Sequence, residues 1–138
     1  MTTRIVAMVL CFAIFGCGSQ PILNYNARKV PEILVGDVNA FEATLQRATE
    51  TKGWQLTRTE HAGVWVAEVV VGKQRAMVEI EFRQSRYSIR YKSSQNISVN
   101  TVRDTIDPKY NQWVRNLSHA LDSELDAVRD SVKASKTS

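Results

Sequence analysis

The chain has 138 residues, of which 43% are hydrophobic and 23% charged, with a formal net charge of +4. This composition excludes global disorder, and the length allows one domain whose core buries about two-thirds of its unfolded surface. Acidic and basic residues are interspersed throughout, so the positive balance reads as a solvated surface and no nucleic-acid partner is expected.

Arg4 and the amino terminus precede an apolar run from Ile5 to Phe15, which is signal-peptide length and short of the roughly 20 residues a spanning helix needs. Gly16, Gly18, Ser19 and Pro21 break the run, which disfavours an uncleaved anchor. A cleavage site without lipid would use Phe15-Gly16-Cys17-Gly18-Ser19 as a small-x-small stretch. Ile14-Phe15-Gly16-Cys17 resembles the lipobox of bacterial lipoproteins, although Phe15 stands where a small residue is usual. The resemblance implies a signal peptide over residues 1–16 and acyl chains on Cys17, which would make the membrane a partner and place the chain in the cell envelope, facing the periplasm. In bacteria that sort lipoproteins by the second mature residue, Gly18 favours the outer membrane. Cys11 would leave with the signal and Cys17 would carry lipid, so the mature chain has no cysteine left for a disulfide.

Residues 17–35 read as the lipidated cysteine and a tether. Pro21 and Pro31 prevent a continuous helix there, while Ile22, Leu23, Tyr25 and Val30 are too apolar for a free linker, so an extended piece is expected near Ile22 to Tyr25. The first helix is predicted from Asp37 or Asn39 to Lys52, with Phe41, Leu45 and Ala48 on one face. Asn39 with Glu42 fits a capping box, Asp37 is the competing cap, and Gly53 suits the position past the carboxyl end. A strand then follows over Trp54 to Thr59.

Val64 to Val71 is apolar at nearly every position, as expected of a central strand or one covered on both faces. After a turn at Gly72-Lys73-Gln74, Ala76, Val78, Ile80 and Phe82 alternate with Met77, Glu79, Glu81 and Arg83. Tyr87, Ile89 and Tyr91 continue the inward face beyond a second turn. Glu79 and Glu81 are expected opposite Arg90 and Ser88.

Ser93 to Thr105 reads as a polar connection pinned by Ile97, Val99 and Val102. Asp107 as cap and Pro108 at the first position open the last helix, where Tyr110, Trp113, Val114, Leu117, Leu121, Leu125, Val128 and Val132 trace one long stripe. Residues 135–138 are expected to fray. The whole predicts an α+β domain over residues 36–134: an antiparallel sheet of about four strands with two helices packed on one face, in the order α-β-β-β-β-α.

Tyr87-Ser88-Ile89-Arg90-Tyr91, followed by Ser94, Asn96 and Ile97, then Ile106, Tyr110-Asn111, Trp113-Val114 and Asn116-Leu117, resembles a family of small uncharacterised proteobacterial lipoproteins. That family carries a Tyr-Ser-Ile-x-Tyr signature and a Tyr-Asn-x-Trp-Val-x-Asn-Leu helix. Asp107 stands where the family usually has a histidine after the isoleucine. The resemblance covers the last half of the chain; it implies an envelope location and no particular activity.

No catalytic constellation is legible. His61 and His119 have no nucleophile at an informative spacing, and Ser118 beside His119 points about 100 degrees away on a helix. Glu79 and Glu81 project from a solvent face where nothing raises a pKa. No metal-ligand spacing and no phosphate loop is present, so no cofactor is expected. Two surfaces remain as candidates. Ser94, Asn96, Tyr110, Asn111 and Asn116 form a ligand recess if the loop after the last strand folds over the start of the last helix, although such amides more often satisfy loop backbone. Arg75, Arg83, Arg86, Arg90 and Lys92 form a basic surface suited to an anionic membrane, although such residues more often solvate a sheet.

The function expected is therefore a non-catalytic accessory or interaction module whose further partners are envelope proteins or cell-wall polymer. The alternatives are a periplasmic small-ligand or wall-binding module using the asparagine recess and, less well supported, an enzyme.

Overall fold

A computed structural model describes residues 18–137; the predicted signal peptide, Cys17 and Ser138 lie outside the described residues. Five antiparallel strands form the main sheet, in the spatial order β2 (Tyr25–Lys29), β6 (Arg86–Gln95), β5 (Gln74–Arg83), β4 (Val64–Val71), β3 (Trp54–Arg58). A smaller sheet joins β1 (Gln20–Pro21), β8 (Thr105–Ile106) and β7 (Val99–Asn100). Helices α1 (Val38–Thr51) and α2 (Pro108–Lys136) lay their apolar faces on the main sheet. The α+β class and the antiparallel pairing match the sequence reading.

The clean alternation of β5 works as expected: Ala76, Val78, Ile80 and Phe82 are buried, while Glu79 and Glu81 pair in register with Arg90 and Ser88 on the other face. One face meets the helices because every second side chain is apolar. Phe41 of α1 stacks on Phe82 with ring centroids 4.4 Å apart and lies 5.7 Å from Trp65. Burying each such side chain contributes roughly 1.5–3 kcal/mol. Asp37 caps α1 by accepting from the Ala40 amide at 3.0 Å. Asn39 does not serve as the cap, and Glu42 is drawn instead to Arg58 and Trp65. Gly53 closes the helix at φ +75°, as its position suggested.

Several expectations are corrected. The sheet has five strands because β2, from the segment read as a tether, pairs with β6 at one edge. Its side chains after Tyr25 are exposed, so it has no alternation to betray it, and a bulge with Ala27 at φ +49° breaks its register. β4 is an inner strand, paired with β3 on one side and β5 on the other as its apolar run suggested, but it is not covered on both faces: Trp65, Ala67 and Val69 are buried while Val70 and Val71 are exposed. In the connection after β6, Ile97 is buried, but Val99 and Val102 point to solvent. β6 also carries a bulge at Lys92, because Ser93 pairs with Met77 and Tyr91 with Val78. Finally, α2 keeps its helical form through Lys136, past the point where the tail was expected to begin.

These elements give the domain two distinct ends. At one end are the chain's first described residues, the β4–β5 turn, β7 and β8, tied together by the Asn96 side chain donating to the Lys73 carbonyl at 2.7 Å and the Ile22 amide donating to the Asp104 carbonyl at 2.9 Å. At the other are the β5–β6 turn and the 3-10 turn Glu32–Leu34, joined by the Val30 amide on the Ser85 carbonyl and the Gly36 amide on the Gln84 carbonyl, both at 2.9 Å. Helix α2 runs from the first end to the second; its 29 residues span about 43 Å.

Candidate functional site

The five residues of the predicted recess are not gathered around one cavity. Tyr91 and Tyr110 meet edge to face at 5.3 Å, and the Tyr91 hydroxyl lies 2.9 Å from Ser94 Oγ, so Ser94 and Tyr110 share a neighbour. Asn96, at φ +58°, is committed to the β4–β5 turn, accepting from Gln74 through its carbonyl and donating to Lys73 through its amide. Buried Asn111 holds the start of the chain: its Oδ1 accepts from the Leu23 amide at 3.0 Å and its Nδ2 donates to the Pro21 carbonyl at 2.9 Å. Asn116 accepts from Gln112 one turn earlier on α2.

The basic set divides. Arg83, Arg86 and Arg90 surround a shallow hollow of about 370 Å³ by the β5–β6 turn. Arg83 is paired with Glu81 at 3.1 Å, Arg86 donates to the Ala27 carbonyl at 2.8 Å and Arg90 to Asn26 at 3.2 Å. Arg75 and Lys92 lie toward the opposite end of the same strands, Arg75 within 3.6 Å of Glu68. Eight residues of extended chain, roughly 27 Å, separate Arg75 from Arg83.

A third polar cluster was not foreseen. Glu42 on α1 takes a forked pair of hydrogen bonds from Arg58 and one from the Trp65 indole at 2.7 Å. Hydrogen bonds from Arg58, then from Trp65, hold its carboxyl below the usual carboxylate range. His61, Asn39 and Thr59 line a small hollow of about 220 Å³ beside it. A carboxylate kept ionised by a guanidinium is a poor general acid or base near neutral pH, so this arrangement fastens β3 and β4 to α1.

The residues with the most to offer another molecule lie along the far half of α2. Tyr87 donates to Asp122 Oδ1 at 2.6 Å while Arg28 of β2 donates to Oδ2 at 2.8 Å. Burial, then the bond to Asp122, pushes the Tyr87 phenol well above its ordinary pKa. This cluster closes one end of a groove. Beyond it, Lys29, Val30, Pro31, Leu125, Asp126 and Arg129 bound a hollow of about 420 Å³. Pro31 and Arg129 also line the next, of about 440 Å³, with Glu32, Ile33, Val132, Lys133 and Lys136.

The groove exists because α2 outruns the sheet. Leu125 is the last buried member of its stripe; Val128 is half-buried against the edge of the core, and Val132 continues the stripe into the hollow shared with the 3-10 turn. Ile33 is 54% exposed on the opposing wall. Arg129 is held by Asp126 and Asp130, whereas Lys29, Lys133 and Lys136 make no ion pair among the described residues. Among the described residues Glu32 on the rim is likewise without an ion pair, so three ammonium groups face one carboxylate; an apolar floor of Pro31, Ile33 and Val132 with this net positive rim suits an acidic, amphipathic surface. The sequence signal for it was the valine stripe continuing to Val132 beside two lysines, which read as core because nothing local marks where the sheet stops.

Among the described residues, no cluster of three or more metal-ligating side chains occurs, and no helix is long and apolar enough to cross a membrane. Comparison with protein-family models, with curated proteins and with solved structures found no match.

Proposed function

We propose that this chain is a lipid-anchored envelope protein, attached through Cys17 and facing the periplasm, whose domain serves as a non-catalytic interaction module. The observation that carries the reading is the groove between the 3-10 turn and the end of α2, open on an apolar floor and rimmed by Lys29, Lys133 and Lys136. It lies at the end of the domain away from the chain's start, so an anchor at Cys17 leaves it turned toward the periplasm. Its charge favours a segment of an envelope protein that carries carboxylates beside apolar side chains. Gly18 after the cysteine supports the outer membrane as the site of attachment in bacteria that sort by that residue.

Two measurements test this. Intact mass of the membrane-extracted protein should show the signal lost and a triacylated amino-terminal cysteine, abolished by Cys17→Ala; an unlipidated mass refutes the anchor. A photo-crosslinker in place of Ile33 should give one discrete protein adduct in cells that disappears with the Lys133→Glu, Lys136→Glu pair. A crosslinker in place of Thr57, on the exposed sheet face, should not give it. The same adduct from both positions, or one indifferent to charge reversal, refutes the groove as the partner surface.

A further inference from the structure

We infer that the end of the domain where the chain starts is built to rest on the phospholipid bilayer that holds Cys17. This inference rests on the lipid-anchor reading. Four of the exposed large apolar side chains gather at this end: Val70 and Val71 before the β4–β5 turn, and Val99 and Val102 in the β7–β8 hairpin, at 53%, 46%, 38% and 93% exposure. Nothing in the fold requires valine at the tip of a hairpin, and a residue as open as Val102 contributes no packing to the core.

Around them stand Lys73, Arg75, Lys92, Arg103 and Lys109. Of these, only Arg75 has an ion pair among the described residues, at 3.6 Å from Glu68. The opposing carboxylates in the same region are Glu68, paired with Arg75, Asp104, beside the hairpin tip, and Asp107, which is occupied in capping α2 through the Lys109 amide at 2.9 Å. Valines that dip into a headgroup layer and flanking cations that meet its phosphates are the chemistry of a membrane-facing surface.

Chain length is the second argument. Cys17 precedes Gln20 by three residues, and Gln20–Pro21 is already paired with Thr105–Ile106. Three extended residues reach about 10 Å, so acyl chains on Cys17 keep Gln20 within about that distance of the bilayer, with β8 about 5 Å and β7 about 10 Å from β1 across the small sheet. The Asn111 amide, holding Pro21 and Leu23, prevents this segment from peeling away to lengthen the tether. A short tether makes the neighbouring surface contact lipid at high effective concentration, so weak individual contacts suffice.

Depth quenching tests the inference. An environment-sensitive nitrobenzoxadiazole label is placed at Val102→Cys or, at the far end, Ile33→Cys, in the mature lipidated chain, where Cys17 is blocked. The chain is reconstituted in phosphatidylethanolamine and phosphatidylglycerol vesicles containing spin-labelled lipid. Quenching at 102 should exceed that at 33 several-fold, and Lys73→Glu with Arg103→Glu should reduce it. Equal quenching at the two positions, or stronger quenching at 33, overturns the inference. Intact mass of the same sample reports the acyl chains independently. If they are missing, the anchor reading falls, and the same labels in a Cys17→Ser background added to the vesicles decide the surface: preferential quenching at 102 supports it, and none at either position overturns it.

Discussion

The side chain of Asn111, on the first turn of α2, accepts from the backbone amide of Leu23 at 3.0 Å, joining residues 88 apart in the chain. The same amide group donates to Pro21, so one buried asparagine satisfies two backbone groups of a segment that has little regular structure of its own. Asn111→Leu leaves both unpaired and should cost about 2–3 kcal/mol, given the penalty for buried unsatisfied groups. Urea denaturation measures the loss, and hydrogen exchange at the Leu23 amide localises it; unchanged protection of that amide would contradict the role.

Two buried tyrosines should respond oppositely to loss of the hydroxyl. Among the described residues the buried Tyr110 hydroxyl has no hydrogen-bond partner, and burial pushes its pKa up. Tyr110→Phe removes that unsatisfied group and should raise stability by up to about 1 kcal/mol. Tyr87→Phe removes the bond to Asp122 and should lower stability by about 1 kcal/mol, at the low end because Asp122 is partly solvated. Thermal and urea unfolding of the two variants side by side check the contrast, and a stabilised Tyr87→Phe would refute it.

Acid should loosen the junction of α1 with β3 and β4. Because the Glu42 carboxyl lies below its ordinary pKa in the fold, the stability it adds is complete above the ordinary carboxylate range and is lost as pH falls through the lowered folded value. Stability of the wild type should therefore fall more steeply below about pH 4.5 than that of Glu42→Gln, which cannot ionise. Parallel pH profiles for the two proteins would refute the coupling. Glu42→Leu also strands the Trp65 indole and should cost about 1–2 kcal/mol at neutral pH.

Gly63, in the loop before β4, sits at φ +81°, and a Cβ there would lie 2.8 Å from the Phe82 carbonyl oxygen. That carbonyl belongs to β5, whose Phe82 amide donates to the Gly63 carbonyl at 2.8 Å, so neither backbone can retreat without breaking the pair. Gly63→Ala should cost more than about 2 kcal/mol, while Gly72→Ala, with open space around its Cβ, should cost about 1 kcal/mol from its positive φ alone. Comparable losses in the two variants would show that the close approach has no weight.

Sequence alone determined the elements whose side chains repeat. The alternation from Ala76 to Phe82 fixed the inward face of β5 and the pairing of Glu79 with Arg90. The stripe from Tyr110 to Leu125 fixed the buried face of α2, and Asp107-Pro108 fixed its start. These are local signals, because burial of one face imposes a period on the chain. Tertiary structure alone decided the rest. Polar β2 becomes a strand only because β6 offers an unpaired edge, and Asn111, an amide of the kind expected to satisfy loop backbone, holds the chain's start instead of the loop after β6 because that start passes beside it. Val132 lines a groove where Leu125 is core because the sheet ends between them, and the terminus of a sheet is set by neighbouring strands and leaves no mark in a helix's own sequence.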